Sequence, residues 1–140
     1  MLQATFIISF FISFLSFQPG TGNLTVYIEG VRSSSGTIEI GIYNKEGVFL
    51  EIGDEFKNVI INSASPTASY TFKNLPFDVY AVSLYHDENN DRECNTNLIG
   101  IPTEGYGFSN NVKPFLSAPE FEKAQFEFNK TSSIHITLRY

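Results

Sequence analysis

Apolar and polar residues alternate along most of the chain after residue 23. The first two runs have apolar residues at every second position, namely Leu24, Val26, Ile28, Ile38, Ile40 and Ile42. This spacing places one face of an extended strand against a core. A serine- and glycine-rich turn at residues 30–36 separates the two runs, which predicts that they form a hairpin. Further predicted strands lie at residues 59–61, 69–72, 80–85, 126–128 and 134–138.

The predicted architecture follows from these short strands and the turn signals between them. No amphipathic helix of useful length interrupts them. The pattern predicts an all-β fold, an antiparallel Greek-key β-sandwich of the immunoglobulin-like or transthyretin-like kind with about seven strands. One long ordered loop, residues 87–122, completes it. So long an irregular connection in a compact domain favours a functional role.

The first 22 residues form a different kind of segment. They contain no charged residue, and residues 6–17 are almost continuously apolar. The apolar run is shorter than the ~20 residues of a typical membrane span and resembles the centre of a secretory signal. We therefore predict a signal peptide at 1–22, a single domain at 23–140, no stable membrane span after signal removal, and a secreted, periplasmic or cell-envelope location. An uncleaved anchor and a misassigned start codon are the alternatives.

Charge and cysteine content narrow the classes of partner. All 15 acidic and 9 basic residues follow the leader, so the net charge of −6 belongs to the domain. Such a surface repels phosphate backbones, which argues against nucleic acid as a partner. Cys94 is the single cysteine, so no intramolecular disulfide forms. Its sequence context lacks an activating group, and we expect an inert thiol.

The start of the long loop is rich in oxygen ligands. Asp87, Asn89 and Asp91 match the first three ligand positions of an EF-hand loop, and Asn95 adds another oxygen. Calcium prefers such ligands, although Arg92 stands where an EF-hand has glycine. The alternative is a polar loop whose Asp and Asn side chains cap turns, or whose carboxylates pair with Arg92.

A second set of candidates lies around the same loop. His86 shares strand parity with Val82 and Leu84 and belongs at the inner rim, whereas His135 belongs on an exposed face. The glycine-flanked Tyr106 and Phe108, with Ser109 and Asn110, are candidates to contact a ligand, although burial of the two aromatic rings is the alternative. Apolar residues expected to pin the loop to the sandwich are Leu98, Ile99, Ile101, Tyr106, Phe108, Phe115 and Phe121.

Three segments of this loop carry a family resemblance. They read H-D-E-N-N-D at 86–91, N-T-N-L-I-G-I-P at 95–102 and E-G-Y-G-F-S-N-N at 104–111. The chain resembles the bacterial secreted family known as domain of unknown function 2141, over essentially its whole length after the leader. The resemblance implies an export signal followed by a β-sandwich and supplies no reaction. The family usually has G-N-G where this chain has Asn90, Asp91 and Arg92, and an Asp in place of Asn95.

These observations favour an exported, non-catalytic binding or structural module over an enzyme. The expected partner is a protein, a glycan or another cell-envelope component, and calcium is the one candidate cofactor. The alternative function is a small hydrolase-like enzyme that uses His86, Asp87 and Ser109. No G-x-S-x-G motif surrounds Ser109, and the sequence identifies no further catalytic residue.

Overall fold

The computed structural model describes residues 20–140. Eight strands run in the order β1 (Thr21–Glu29), β2 (Thr37–Tyr43), β3 (Lys57–Asn62), β4 (Thr67–Pro76), β5 (Asp78–Asp87), β6 (Gly105–Phe108), β7 (Phe126–Phe128) and β8 (Ser132–Thr137). One short α-helix, α1 (Phe121–Ala124), precedes β7, and 3₁₀ turns lie at Glu46–Val48 and Ser109–Asn111. Residues 1–19, most of the predicted signal peptide, lie outside the described residues. Strand β1 begins at Thr21, two residues before the predicted start of the domain at residue 23.

The strands form two sheets, which confirms the predicted all-β sandwich. The smaller sheet has the order β4-β1-β8, and the larger has the order β3-β2-β5-β6, with β7 pairing the start of β5. Among these pairs β1 and β8 are parallel, and the others are antiparallel. The prediction of an entirely antiparallel sandwich is therefore wrong for that pair. Alternation defines the buried face of a strand but not the direction of its neighbour.

The predicted hairpin between the first two runs is also wrong. Strand β1 pairs with β4 and β8, whereas β2 pairs with β3 and β5. The turn at residues 30–36 instead carries the chain from one sheet to the other. Each run has one fully apolar face, and the two faces are buried when the strands lie opposite one another. The core accordingly contains residues of both sheets: Leu24, Val26, Ile28, Ile38, Ile40, Ile42, Val82, Leu84 and Ile136.

Strand β6 lies within the region predicted to be a loop. Its Gly105 and Gly107 point inwards, and a Cβ on Gly107 would lie 2.6 Å from Ile136 Cγ2. The inner face of β6 therefore lacks side chains because the opposite sheet approaches it closely. Its Tyr106 and Phe108 point outwards, since they pair with Tyr85 and Ser83. The alternation of glycine and aromatic residues is thus a strand pattern without inward-facing side chains.

Helix α1 covers one end of the outer face of the larger sheet. Phe121 and Ala124 pack there against Tyr43 and Ala81 in a small second core. No helix in residues 20–140 is long and apolar enough to cross a membrane. Beyond this short cover, the outer face of β2, β5 and β6 faces the long loop across a groove described below.

Candidate functional site

The carboxylate of Asp87 organises the start of the loop that follows β5. Asp87 is buried, and its two oxygens accept hydrogen bonds from the backbone N–H groups of Asp91, at 3.1 Å, and Arg92, at 2.9 Å. Arg92 has a φ of 65°. This is the left-handed conformation that an EF-hand loop gives to glycine, and here the bond from its N–H to Asp87 stabilises it. The Asp87 side chain therefore caps this turn by bonding its backbone, as the turn-capping alternative predicts.

Glu104 brings a third carboxylate to this cluster. Its oxygens accept hydrogen bonds from the backbone N–H groups of Glu88 and Asn95, each at 3.0 Å. One oxygen each from Asp87, Asp91 and Glu104 lie within 4.8 Å of one another. The sequence prediction missed Glu104 as a ligand because it is separated from Asp91 in the chain. The fold places Glu104 beside Asp87 because β6, which starts at Gly105, pairs with β5 at His86.

Asn89 and Asn95 contact the same cluster through their amide groups. Both donate to Asp91 Oδ2, at 2.8 and 2.9 Å, and Asn89 also donates to Asn95 Oδ1. These bonds, from Asn95 first and then Asn89, hold the pKa of the Asp91 carboxyl below its ordinary value. The four predicted cation ligands are therefore together. They satisfy one another through hydrogen bonds, and three carboxylates remain close enough to share a cation.

The arginine that pairs with this segment is Arg32, not Arg92. The Arg32 side chain comes from the turn between β1 and β2, and its Nε lies 3.1 and 3.0 Å from the two carboxylate oxygens of Glu88. This pairing, with a further bond from Ser33, holds the pKa of Glu88 below its ordinary value. The ion pairs found within residues 20–140 do not include Arg92, so the alternative in which the loop carboxylates pair with its guanidinium is wrong.

His86 is fully buried at the inner face, as its parity predicts. Its Nε2 lies 2.8 Å from the carbonyl oxygen of Ser35, and its Nδ1 lies 2.8 Å from the Tyr140 hydroxyl. A carbonyl only accepts, so Nε2 carries the proton, and in the neutral ring Nδ1 accepts from Tyr140. Arg32 lies over the Tyr140 ring at 4.1 Å. His86 therefore links Tyr140 to the turn before β2 through hydrogen bonds.

Ser109 and Asn110 hold α1 and β5 together. The buried Ser109 hydroxyl accepts from the backbone N–H of Val82, at 2.9 Å, and donates to the carbonyl of Ala124. Asn110 donates to the carbonyls of Lys123 and Gln125. Ser109 therefore bonds the backbone of Val82, which lies four residues before His86 in β5. The structure does not bring His86 and Ser109 together. The hydrogen bond between nucleophile and base that the hydrolase alternative requires is therefore not formed by these two residues.

A groove of about 760 Å³ lies on the outer face of the larger sheet. Its floor comes from alternate residues of three neighbouring strands, and it includes Gly41, Tyr43, Ser83, Tyr85, Tyr106 and Phe108. Tyr106 is half-buried and Phe108 is 9% exposed, so the alternative of burial holds for Phe108 and in part for Tyr106. The two rings pack against the protein and also present a surface to the groove.

The rim of the groove is formed by large aliphatic side chains. Ile52, Ile99, Ile101 and Leu116 line it and are 94%, 78%, 53% and 95% exposed. Leu98 and Phe115, which were expected with Ile99 and Ile101 to pin the loop, are exposed too. That expectation is wrong for these four. The start of the loop is held instead by the buried carboxylates Asp87 and Glu104, which accept hydrogen bonds from its backbone at residues 91, 92 and 95. Phe121 is buried as expected.

Cys94 also lines the groove. The residue is exposed at the surface, while desolvation of its sulfur raises the pKa of the thiol to about 11, with a contribution from Glu104. The thiol is therefore protonated at neutral pH and is a weak nucleophile. This agrees with the expected inert cysteine.

Fold and loop together define an all-β sandwich with a polar loop beside an open groove. A family model described as "Uncharacterized protein conserved in bacteria (DUF2141)" matches residues 26–136. The chain belongs to this family, as the resemblance of its loop motifs predicts. No curated protein and no solved structure matches the chain.

Proposed function

We propose that the protein is an exported, non-catalytic binding module whose ligand site is the groove on the outer face of the larger sheet. The observation that carries the proposal is the apolar rim. Four large aliphatic side chains, Ile52, Ile99, Ile101 and Leu116, lie around one concave surface with more than half of each exposed. Contiguous apolar patches on soluble domains mark sites of interaction. The apolar leader of the sequence supports export.

The dimensions of the groove favour a small ligand. A volume of about 760 Å³ lies within the ~300–1,000 Å³ of typical small-molecule sites. Tyr85 and Tyr106 come from strands that hydrogen-bond to each other, so their positions are fixed by the sheet. A ligand with an apolar body would cover these rings and the aliphatic rim, and it would release the water that contacts them.

We expect the double variant Ile99→Ser/Ile101→Ser to bind a neutral apolar dye, Nile red, about tenfold more weakly than the parent protein. Both side chains are exposed, so their removal takes apolar area from the site and leaves the core intact. Fluorescence titration measures the affinity, and circular dichroism checks the fold.

The control is Tyr27→Ser, which removes an exposed ring from β1 in the smaller sheet. Its affinity for the dye should equal that of the parent protein. Equal weakening in both variants, or unchanged affinity in the isoleucine variant, would contradict the proposed site.

Calcium binding by the loop is a second candidate function, favoured by one observation. Oxygens of Asp87, Asp91 and Glu104 converge within 4.8 Å, and the amides of Asn89 and Asn95 hydrogen-bond to Asp91 in the same cluster. Divalent calcium would relieve the repulsion among the three carboxylates. The oxygens already accept several N–H bonds, so the affinity should be in the weak range of extracellular modules, with a Kd of ~0.1–1 mM.

We expect calcium at ten times its Kd to stabilise the parent protein by ~1.4 kcal/mol, which raises its melting temperature. The variant Asp87→Asn/Asp91→Asn should lose the calcium-dependent rise, whatever its own stability. Glu29→Gln/Glu127→Gln, which removes two exposed carboxylates elsewhere, should keep it. Thermal unfolding with and without calcium measures the shift. A melting temperature of the parent protein that stays unchanged up to 10 mM calcium would contradict calcium binding, and turn capping would then be the role of these carboxylates.

A further inference from the structure

The charged groups of the groove are all negative. Glu39 and Glu55 line it, and no Lys, Arg or His does so among the residues that the structure describes. Glu39 projects from the outer face of β2. Glu55 lies beside it, because a Cβ on Gly41, two residues further along β2, would sit 3.2 Å from Glu55 Cγ. The absence of a side chain on Gly41 makes room for this second carboxylate.

Both carboxylates are held in place by neutral donors. Glu39 accepts from the Tyr85 hydroxyl at 2.8 Å and from the Asn58 amide at 2.7 Å. Glu55 accepts from the backbone N–H of Gly53 at 3.0 Å and from the Tyr43 hydroxyl at 3.4 Å. The ion pairs found within residues 20–140 include neither of them. The donors therefore orient two negative charges without neutralising them.

The tyrosines around the carboxylates are neutral at physiological pH. Burial, with the nearby Glu55 charge, raises the pKa of Tyr43 to about 12. Burial and the hydrogen bond to Glu39 raise the pKa of Tyr85 as well. Their rings, with that of Tyr106, present electron-rich faces in the same groove. Such faces attract an organic cation, and they do so more strongly where water is displaced.

We infer that the groove selects an organic cation, a small molecule with an apolar body and an ammonium group, and this inference rests on the proposed ligand-binding function. The apolar body would cover Tyr106, Phe108 and the aliphatic rim, and the ammonium group would lie beside Glu39 and Glu55. An anionic amphiphile, such as a fatty acid, would place its charge against two carboxylates with no basic group to offset them. Charge complementarity therefore distinguishes the cation from other apolar ligands of the same size.

Three ligands with the same phenylbutyl body test this inference: 4-phenylbutylamine, 4-phenylbutanol and 4-phenylbutanoate. We expect the amine to bind the parent protein at least tenfold more tightly than the alcohol, and the anion to bind most weakly. Calorimetric titration measures each affinity directly, and displacement of Nile red shows that the ligands share the groove. Raising the salt concentration should reduce the preference for the amine, because part of it is Coulombic.

The matched variants are Glu39→Gln, Glu55→Gln and their combination, compared with Glu29→Gln/Glu127→Gln as a control of equal charge. We expect the ratio of amine to alcohol affinity to fall to within about twofold of unity in the combined groove variant and to persist in the control. The ratio in each single variant should fall between those of the parent protein and the combined variant. The single variants therefore test the inference even if the combined variant folds poorly. Equal binding of amine and alcohol by the parent protein, or a preference that survives in the groove variants, would overturn the inference. Nile red binding with no preference for the amine rejects only the cation, whereas failure of every probe to bind also rejects the proposed function.

Discussion

Gly36→Ala is expected to destabilise the protein by at least ~3 kcal/mol. Gly36 ends the turn between the two sheets with a φ of 75°, a conformation that side chains rarely adopt. An added Cβ would overlap the carbonyl oxygen of Asp87 and lie 2.7 Å from Glu88 Cα. These are backbone atoms at the end of β5, so the strain cannot be relieved by rotating a side chain. Chemical denaturation measures the loss.

Gly47→Ala is the matched control, because a Cβ there meets nothing within 4 Å. Its free energy of unfolding should remain within ~0.5 kcal/mol of the parent value. Because Gly36 packs on Asp87, we also expect Gly36→Ala to weaken any calcium-dependent stabilisation. A Gly36→Ala protein as stable as Gly47→Ala would show that the turn does not approach β5 as closely as described.

Leu84→Ala is expected to lower the free energy of unfolding by ~2–5 kcal/mol. Leu84 is 2% exposed and belongs to the central strand β5, with the inner faces of both sheets around it. Truncation leaves a cavity in a core that is fixed by strand pairing on both sides of β5, so little collapse can fill it.

His135→Ala is the comparison, with an expected loss under ~0.5 kcal/mol. His135 is exposed on the outer face of β8, where it stacks on Tyr27 and pairs with Glu29. Exposed pairs of this kind contribute little. Urea denaturation of both variants gives the comparison, and losses of similar size would contradict the assigned strand faces.

Strand faces were the part of the fold that the sequence predicted best. Alternation placed Leu84 and His86 on the inner face and His135 on the outer face, and the structure confirms all three. A buried face is mostly apolar at every second position of its own strand, so its signal is local. The partners of each strand are set by contacts between distant segments. Alternation alone could not show that β1 and β2 lie in opposite sheets, or that β8 runs parallel to β1.

The candidate site was predicted in part for the same reason. Asp87, Asn89, Asp91 and Asn95 are neighbours in the chain, and their cluster was visible in the sequence. Glu104 joins them only because β6 returns alongside β5. The groove was missed for a further reason. Its floor is the outer face of β2 and β5, which carries polar residues such as Glu39 and Tyr85, and alternation assigns such a face to solvent. The aromatic residues of the G-Y-G-F motif were the one visible signal for it.

The parallel pairing of β8 with β1 sets the order in which this chain can fold during synthesis. Asn23, at the start of β1, bonds Thr131, which lies 108 residues later. The smaller sheet therefore lacks one of its three strands, and the buried side chain of Ile136, until β8 has been synthesised. Contacts so distant in sequence form slowly. A nascent chain that still lacks β8 therefore leaves one edge of β1 without a strand partner.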